Sequence, residues 1–153
     1  MIAWMAILDR LPTKNSLQRM GIISDGLCVL CNDDLETRDH LFIECSLADS
    51  LWKAILHLSG LRPSFSSWNN FLASTSHAWK CKSLLITILK LAWCAFLYSL
   101  WEERNRRLFK GNSRNEAEIL KAIKEIVGIQ LRGRNISRLD SVNNTLCKNW
   151  SIE

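Results

Sequence analysis

Two prolines and six glycines are all that punctuate these 153 residues. That is too little turn chemistry for the many short, evenly spaced strands of a sandwich or barrel. Histidine is equally sparse, at three, so nucleophile–base pairs have few candidates. His57 falls in a helical stretch and His77 just before another, and both read as surface or satisfied side chains. An Asp-Asp pair occurs once, at Asp33-Asp34, preceded by polar Asn32 rather than by an apolar strand. A polymerase needs carboxylates on a hairpin that hold two Mg²⁺ ions, whereas this pair reads as a solvated turn. No ribonuclease H carboxylate set is present either, so no enzymatic activity is expected. The apolar opening MIAWMAIL lacks a basic leader and meets Asp9 and Arg10 at once. An intracellular protein, nuclear or cytoplasmic and not secreted, is therefore expected.

What the chain does have is apolar mass: 48% hydrophobic residues and seven tryptophans, enough for one sizeable core. The apolar residues recur at helical spacing, which predicts an all-α, compact helical domain. A short helix is expected over 13–20, between Pro12 and Gly21, and a second from Ser46 through Leu51, Trp52, Ile55 and Leu58 until Gly60 and Pro63. Residues 63–78 read as a loop with Trp68 and Phe71 as anchors. Two long C-terminal helices follow. The first, 79–109, contains an eighteen-residue apolar run at 84–101. That run could just span a bilayer. Lys90 near its centre would cost about 2.5–3.5 kcal/mol, so a buried core helix and no membrane partner are expected. The second starts with a capping box of Ser113 and Glu116. It carries a stripe of Leu120, Ile123, Val127 and Leu131, flanked by Ile119 and Ile126, and ends at Gly133. This gives a domain at 1–132 and a loose tail at 133–153.

Four residues carry the sharpest chemistry. Cys28, Cys31, His40 and Cys45 form C-x2-C-x8-H-x4-C, a knuckle spanning 27–45. Structural Zn²⁺ takes four thiolate or imidazole ligands in a tetrahedron. A C-x2-C turn supplies two of them, and a later His and Cys close the site. Asn32, Asp33 and Asp34 suit the reversal this requires. In a reducing compartment such cysteines bind metal rather than pair as disulfides. Cys81, Cys94 and Cys147 lack a second ligand within a turn and are read as small apolar residues or a tail thiol. The sequons at Asn135, Asn143 and Asn149 carry little meaning without secretion.

Charge is divided unevenly. Residues 1–76 hold six Lys/Arg against eight Asp/Glu, a net −2, and residues 77–153 hold fourteen against seven, a net +7, which together give the overall +5. The knuckle loop carries Asp33, Asp34, Glu36 and Asp39 against Arg38 alone. Contact with nucleic acid is therefore expected from Arg104, Arg106, Arg107, Lys110 and Arg114, although the same residues equally suit a solvated helix end. Trp101 and Phe109 border this cluster and are expected in the core rather than stacked on bases.

The local wording resembles the zinc-binding region of plant non-LTR (LINE-type) retrotransposon reverse transcriptases over about residues 3–132. The most specific parts are the L-P-T-x-x-x-L stretch at 11–17 and the four ligand positions with Glu36 and His40-Leu41-Phe42. Trp52 and the run from Trp101 to Arg107 complete them. The resemblance implies Zn²⁺ on Cys28, Cys31, His40 and Cys45 and a nucleic-acid-related ancestry. The resulting expectation is a non-catalytic zinc-binding domain with weak, sequence-indifferent binding of RNA or DNA. A protein-interaction module docking a partner chain through the apolar helix or the knuckle, and a functionless remnant, stand as alternatives.

Overall fold

The computed structural model describes residues 1–62, 67–138 and 140–152. It is mostly helical, and among the described residues the only β pairing is one antiparallel bridge, Leu27 with Leu35. Helix α1 (Ile2–Ile7) and α2 (Lys14–Arg19) precede the knuckle, which ends in a π turn (His40–Glu44). Then follow α3 (Ser46–Leu58), α4 (Trp68–Ala78) and α5 (Leu84–Asn105), which runs on as a π segment (Arg106–Lys110). Helices α6 (Glu116–Leu131) and α7 (Ser141–Trp150) close the chain.

Helix α5 is the hub. It is long and apolar enough to cross a membrane, but Ile88, Ala92, Phe96, Leu97 and Leu100 are all buried in the core. It packs against α1, α3, α6 and α7. Trp93 sits amid three rings from two other helices, with centroids 5.2 Å to Trp52 of α3, and 5.6 Å to Trp68 and 4.0 Å to Phe71 of α4. Phe96 of α5 stacks beside it at 5.6 Å. Each such side chain contributes about 1.5–3 kcal/mol by leaving water, with tilted and edge-on ring pairs adding to it.

Several sequence expectations shift. The stretch read as loop contains α4, because Ser67 accepts a hydrogen bond from the Asn70 N–H and caps a helix that delivers Trp68 and Phe71 to the core. Residues 63–66, including Pro63, lie outside the described residues. Helix α5 starts at Leu84, five residues later than expected, where Ser83 accepts from the Ile86 N–H. Helix α6 is capped by Asn115 and Glu118, which satisfy each other's backbone N–H, rather than by Ser113 and Glu116. The tail expected to be loose instead forms α7, which buries Leu146, Cys147 and Trp150 against the other helices. Its polar composition hid only three inward positions at helical spacing.

Candidate metal centre

Between α2 and α3 the chain has little regular structure, so local hydrogen bonds shape it. The Leu27–Leu35 bridge closes the loop. Within it the Cys28 N–H donates to the Asp34 carbonyl and the Asn32 N–H to the Cys28 carbonyl, both at 2.8 Å. Asn32 turns the chain through the left-handed region, φ 59°, which asparagine tolerates better than most residues. This tight reversal presents Cys28 and Cys31 together.

The second pair depends on the π turn. In an α-helix residues five apart point about 140° away from each other. An i→i+5 hydrogen bond returns the chain to register after five residues instead. The Cys45 N–H donates to the His40 carbonyl at 2.7 Å, and the Thr37 hydroxyl accepts from the His40 N–H at 3.0 Å, starting the turn. The x4 spacing between His40 and Cys45 is thereby the spacing of one π turn.

The four ligand atoms lie within 4.8 Å of one another. Sulfurs on a tetrahedral Zn²⁺ with bonds of about 2.3 Å stand about 3.8 Å apart, so the set fits the ion with little adjustment. Cys28, His40 and Cys45 are buried and Cys31 is half-buried. His40 Nε2 is 3.2 Å from Cys31 Sγ, which makes Nε2 the nitrogen facing the metal position. Nδ1 lies 4.0 Å from Glu44, on the outer side. A hydrogen bond between the sulfurs of Cys28 and Cys45 pushes the Cys28 thiol up and holds Cys45 down. A dication binds both as thiolates and replaces that shared proton. Three sulfurs and one imidazole are the donors zinc prefers, and four protein ligands close the site, the pattern of structural rather than catalytic zinc.

The centre is fastened to the rest of the protein by a buried ion pair. Glu36 is buried, and its Oε1 accepts from the Lys14 N–H at 2.8 Å and from Arg104 Nε and an Arg104 terminal nitrogen at 3.0 and 2.9 Å. Arg104 also donates to the Pro12 carbonyl and the Asn105 side chain, and its guanidinium lies 4.7 Å from the Trp101 ring centre. The distant stretches 11–17, Glu36 and 101–107 therefore meet at one point. Neighbouring Arg107 donates to the Leu30 carbonyl in the knuckle and to Glu103. Glu103 also receives the Arg114 backbone N–H and side chain. Burial pushes the Glu103 carboxyl up, but the hydrogen bonds from Arg114 and Arg107 outweigh it and hold it below the usual carboxylate range. From the other side Arg38 lies over the Trp68 ring at 4.8 Å, docking the knuckle on α4.

The basic cluster divides accordingly. Arg104, only 2% exposed, is withdrawn from any surface contact, which corrects its reading as a phosphate ligand. Two buried carboxylates compensate these cations from within. Arg107 and Arg114 are committed to Glu103, with Arg114 also 3.2 Å from Glu102. Arg106 makes only long ion pairs, 3.7 Å to Glu102 and 3.9 Å to Glu103, and Lys110 is exposed. Trp101 is nearly buried as expected, but Phe109 is 76% exposed. His57 and His77 are exposed on α3 and α4. Sequence reasoning placed the cations at a surface because it could not see Glu36 and Glu103 beneath them. The one available signal was the co-occurrence of Glu36 with the Trp101–Arg107 wording.

The family model for zinc-binding in reverse transcriptase matches residues 1–52, which include all four ligands, Pro12 and Glu36. No curated protein and no solved structure is matched. The match ends at Trp52, so Arg104 and its neighbours lie beyond it and meet it only in space. Residues 1–52 of this chain are thus similar to the zinc-binding region of reverse transcriptases, and they bring with them a four-residue set suited to Zn²⁺.

Proposed function

We propose that this domain is a non-catalytic accessory region of non-LTR, plant retrotransposon ancestry, working in a reducing intracellular compartment, whose Zn²⁺ holds its fold. Its activity is weak binding of RNA or DNA without sequence preference. The observation that carries the reading is the closed Cys₃His set locked to α5 through Glu36 and Arg104. Such a site fixes shape and leaves no metal position for a reacting water. The net +7 of residues 77–153 supplies attraction to phosphates.

Titration of the zinc-loaded protein with labelled RNA and DNA strands tests this. Affinity should fall steeply as salt rises and differ little between sequences. No primer extension or nuclease activity should appear with Mg²⁺ or Mn²⁺. Absence of binding at low salt, or extension lost on Asp33→Asn, would overturn the reading. A protein-docking role is favoured by one observation of its own, the exposure of Trp4, Ile7 and Leu8 on and beside α1. It expects binding that salt barely weakens.

A further inference from the structure

Along one face of α5 and the π segment, positions 98, 101, 102, 105, 106 and 109 recur at helical spacing outside the aromatic core. With Ile2 of α1 and Lys110 they line a groove of about 310 Å³. Its composition is unlike the apolar faces that the other helices bury. Tyr98 is 50% and Phe109 76% exposed, and Trp101 forms the nearly buried floor. Arg106 makes only long ion pairs, 3.7 Å to Glu102 and 3.9 Å to Glu103, and its side chain is 29% exposed, whereas Arg104 is buried and hydrogen-bonded to Glu36, Pro12 and Asn105. Lys110 stands beside it in the open. Glu102, the groove's one acidic side chain, is already met by Arg106 and Arg114, so the groove is net cationic.

We infer that this groove between α1 and the carboxy-terminal end of α5 binds a single strand of nucleic acid, with bases stacked on Tyr98 and Phe109 and phosphates on Arg106 and Lys110. The inference rests on the nucleic-acid reading above and gives it a place. Exposed rings interleaved with under-used cations are what an unpaired strand requires, because only bases freed from a duplex present their faces for stacking. Eleven residues at 1.5 Å each separate the two rings by about 16 Å along the helix. That is about the length of four or five nucleotides at 3.4 Å per strand. A duplex offers no free base faces and should bind through charge alone.

The test is an anisotropy titration of short oligo-dT and oligo-rU strands, and of a duplex of equal length, against the full zinc-loaded chain. Tyr98→Ala and Phe109→Ala should each weaken single-strand binding about 5- to 100-fold, and Phe109→Tyr should restore it. Duplex binding should hardly change. Arg106→Gln and Lys110→Gln should each flatten the single-strand salt slope by about 0.7. Unaltered zinc content and circular dichroism establish that the variants fold, and Phe109→Leu, which keeps the apolar contact, should still lose stacking. Single-strand binding that survives the ring substitutions would overturn the groove while leaving the broader reading intact. No binding at low salt would overturn both. Concentration-dependent dimerisation abolished by Phe109→Ala would make the groove a protein contact and overturn it as well.

Discussion

The knuckle and the aromatic core lie side by side and are held by different means. Around Trp93, rings from α3, α4 and α5 interlock and the helices follow from burial. Between residues 26 and 45 there is one β bridge and one π turn, and the buried groups include Glu36, His40 and two cysteines. Leu30, Leu41 and Phe42 are buried there as well, but burying Glu36 and His40 beside them is costly unless each is partnered. Metal ligation and a buried ion pair therefore supplement apolar packing there. The chain thus has one part arranged around the Cys₃His set and another packed around Trp93, joined where Arg104 meets Glu36.

The largest expected effect separates the two directly. Structural zinc is worth on the order of 10 kcal/mol in small domains, so Cys45→Ser or chelation should unfold the knuckle. Near-ultraviolet dichroism from the tryptophan cluster should persist. Collapse of both signals together would show that the core depends on the metal too.

Breaking the joint is the next test. Glu36→Gln leaves Arg104 buried without its counter-charge, which should cost about 3–5 kcal/mol in urea unfolding. Replacing both partners by Met removes the uncompensated charge and should recover most of that loss. A single variant as stable as the parent would mean that water reaches the pair. In the other part, Trp93→Ala should cost a similar 3–5 kcal/mol yet leave zinc stoichiometry at one per chain by native mass spectrometry. Loss of metal in that variant would dissolve the distinction between the two parts.

The smallest effect is on acid stability. Glu103 has a lowered carboxyl pKa, below its ordinary 4.5. Its contribution is therefore complete above that value and is lost as pH falls through the lower folded value. The stability gap between the parent and Glu103→Gln should be widest near neutrality and narrow below about pH 4.5. A gap independent of pH would remove the carboxylate's charge from the account.

The ligands were legible in sequence because metal chemistry fixes residue type and spacing at once. The helices α3, α5 and α6 were legible because burial imposes a 3.6-residue period. Helix α7 was not, since Leu146, Cys147 and Trp150 are three inward positions in an otherwise polar stretch. Helix α4 was missed for a related reason: its serines and asparagines favour turns unless a cap and two aromatic anchors decide otherwise. The role of Arg104 was unreadable in principle from local pattern, because its partner lies sixty-eight residues away. A basic run looks the same whether its counter-charges are in solvent, on a phosphate or in the protein beneath it.

Hydrogen exchange on the zinc-loaded and chelated protein, compared peptide by peptide, bears most directly on the claim that zinc secures the knuckle and, through Glu36, the end of α5. Chelation should strip protection from residues 26–45 and, with it, from the stretch around Arg104 to Lys110, while residues 51–56 and 88–97 keep theirs. Protection unchanged in the knuckle, or lost there with the Arg104–Lys110 stretch untouched, would contradict the account.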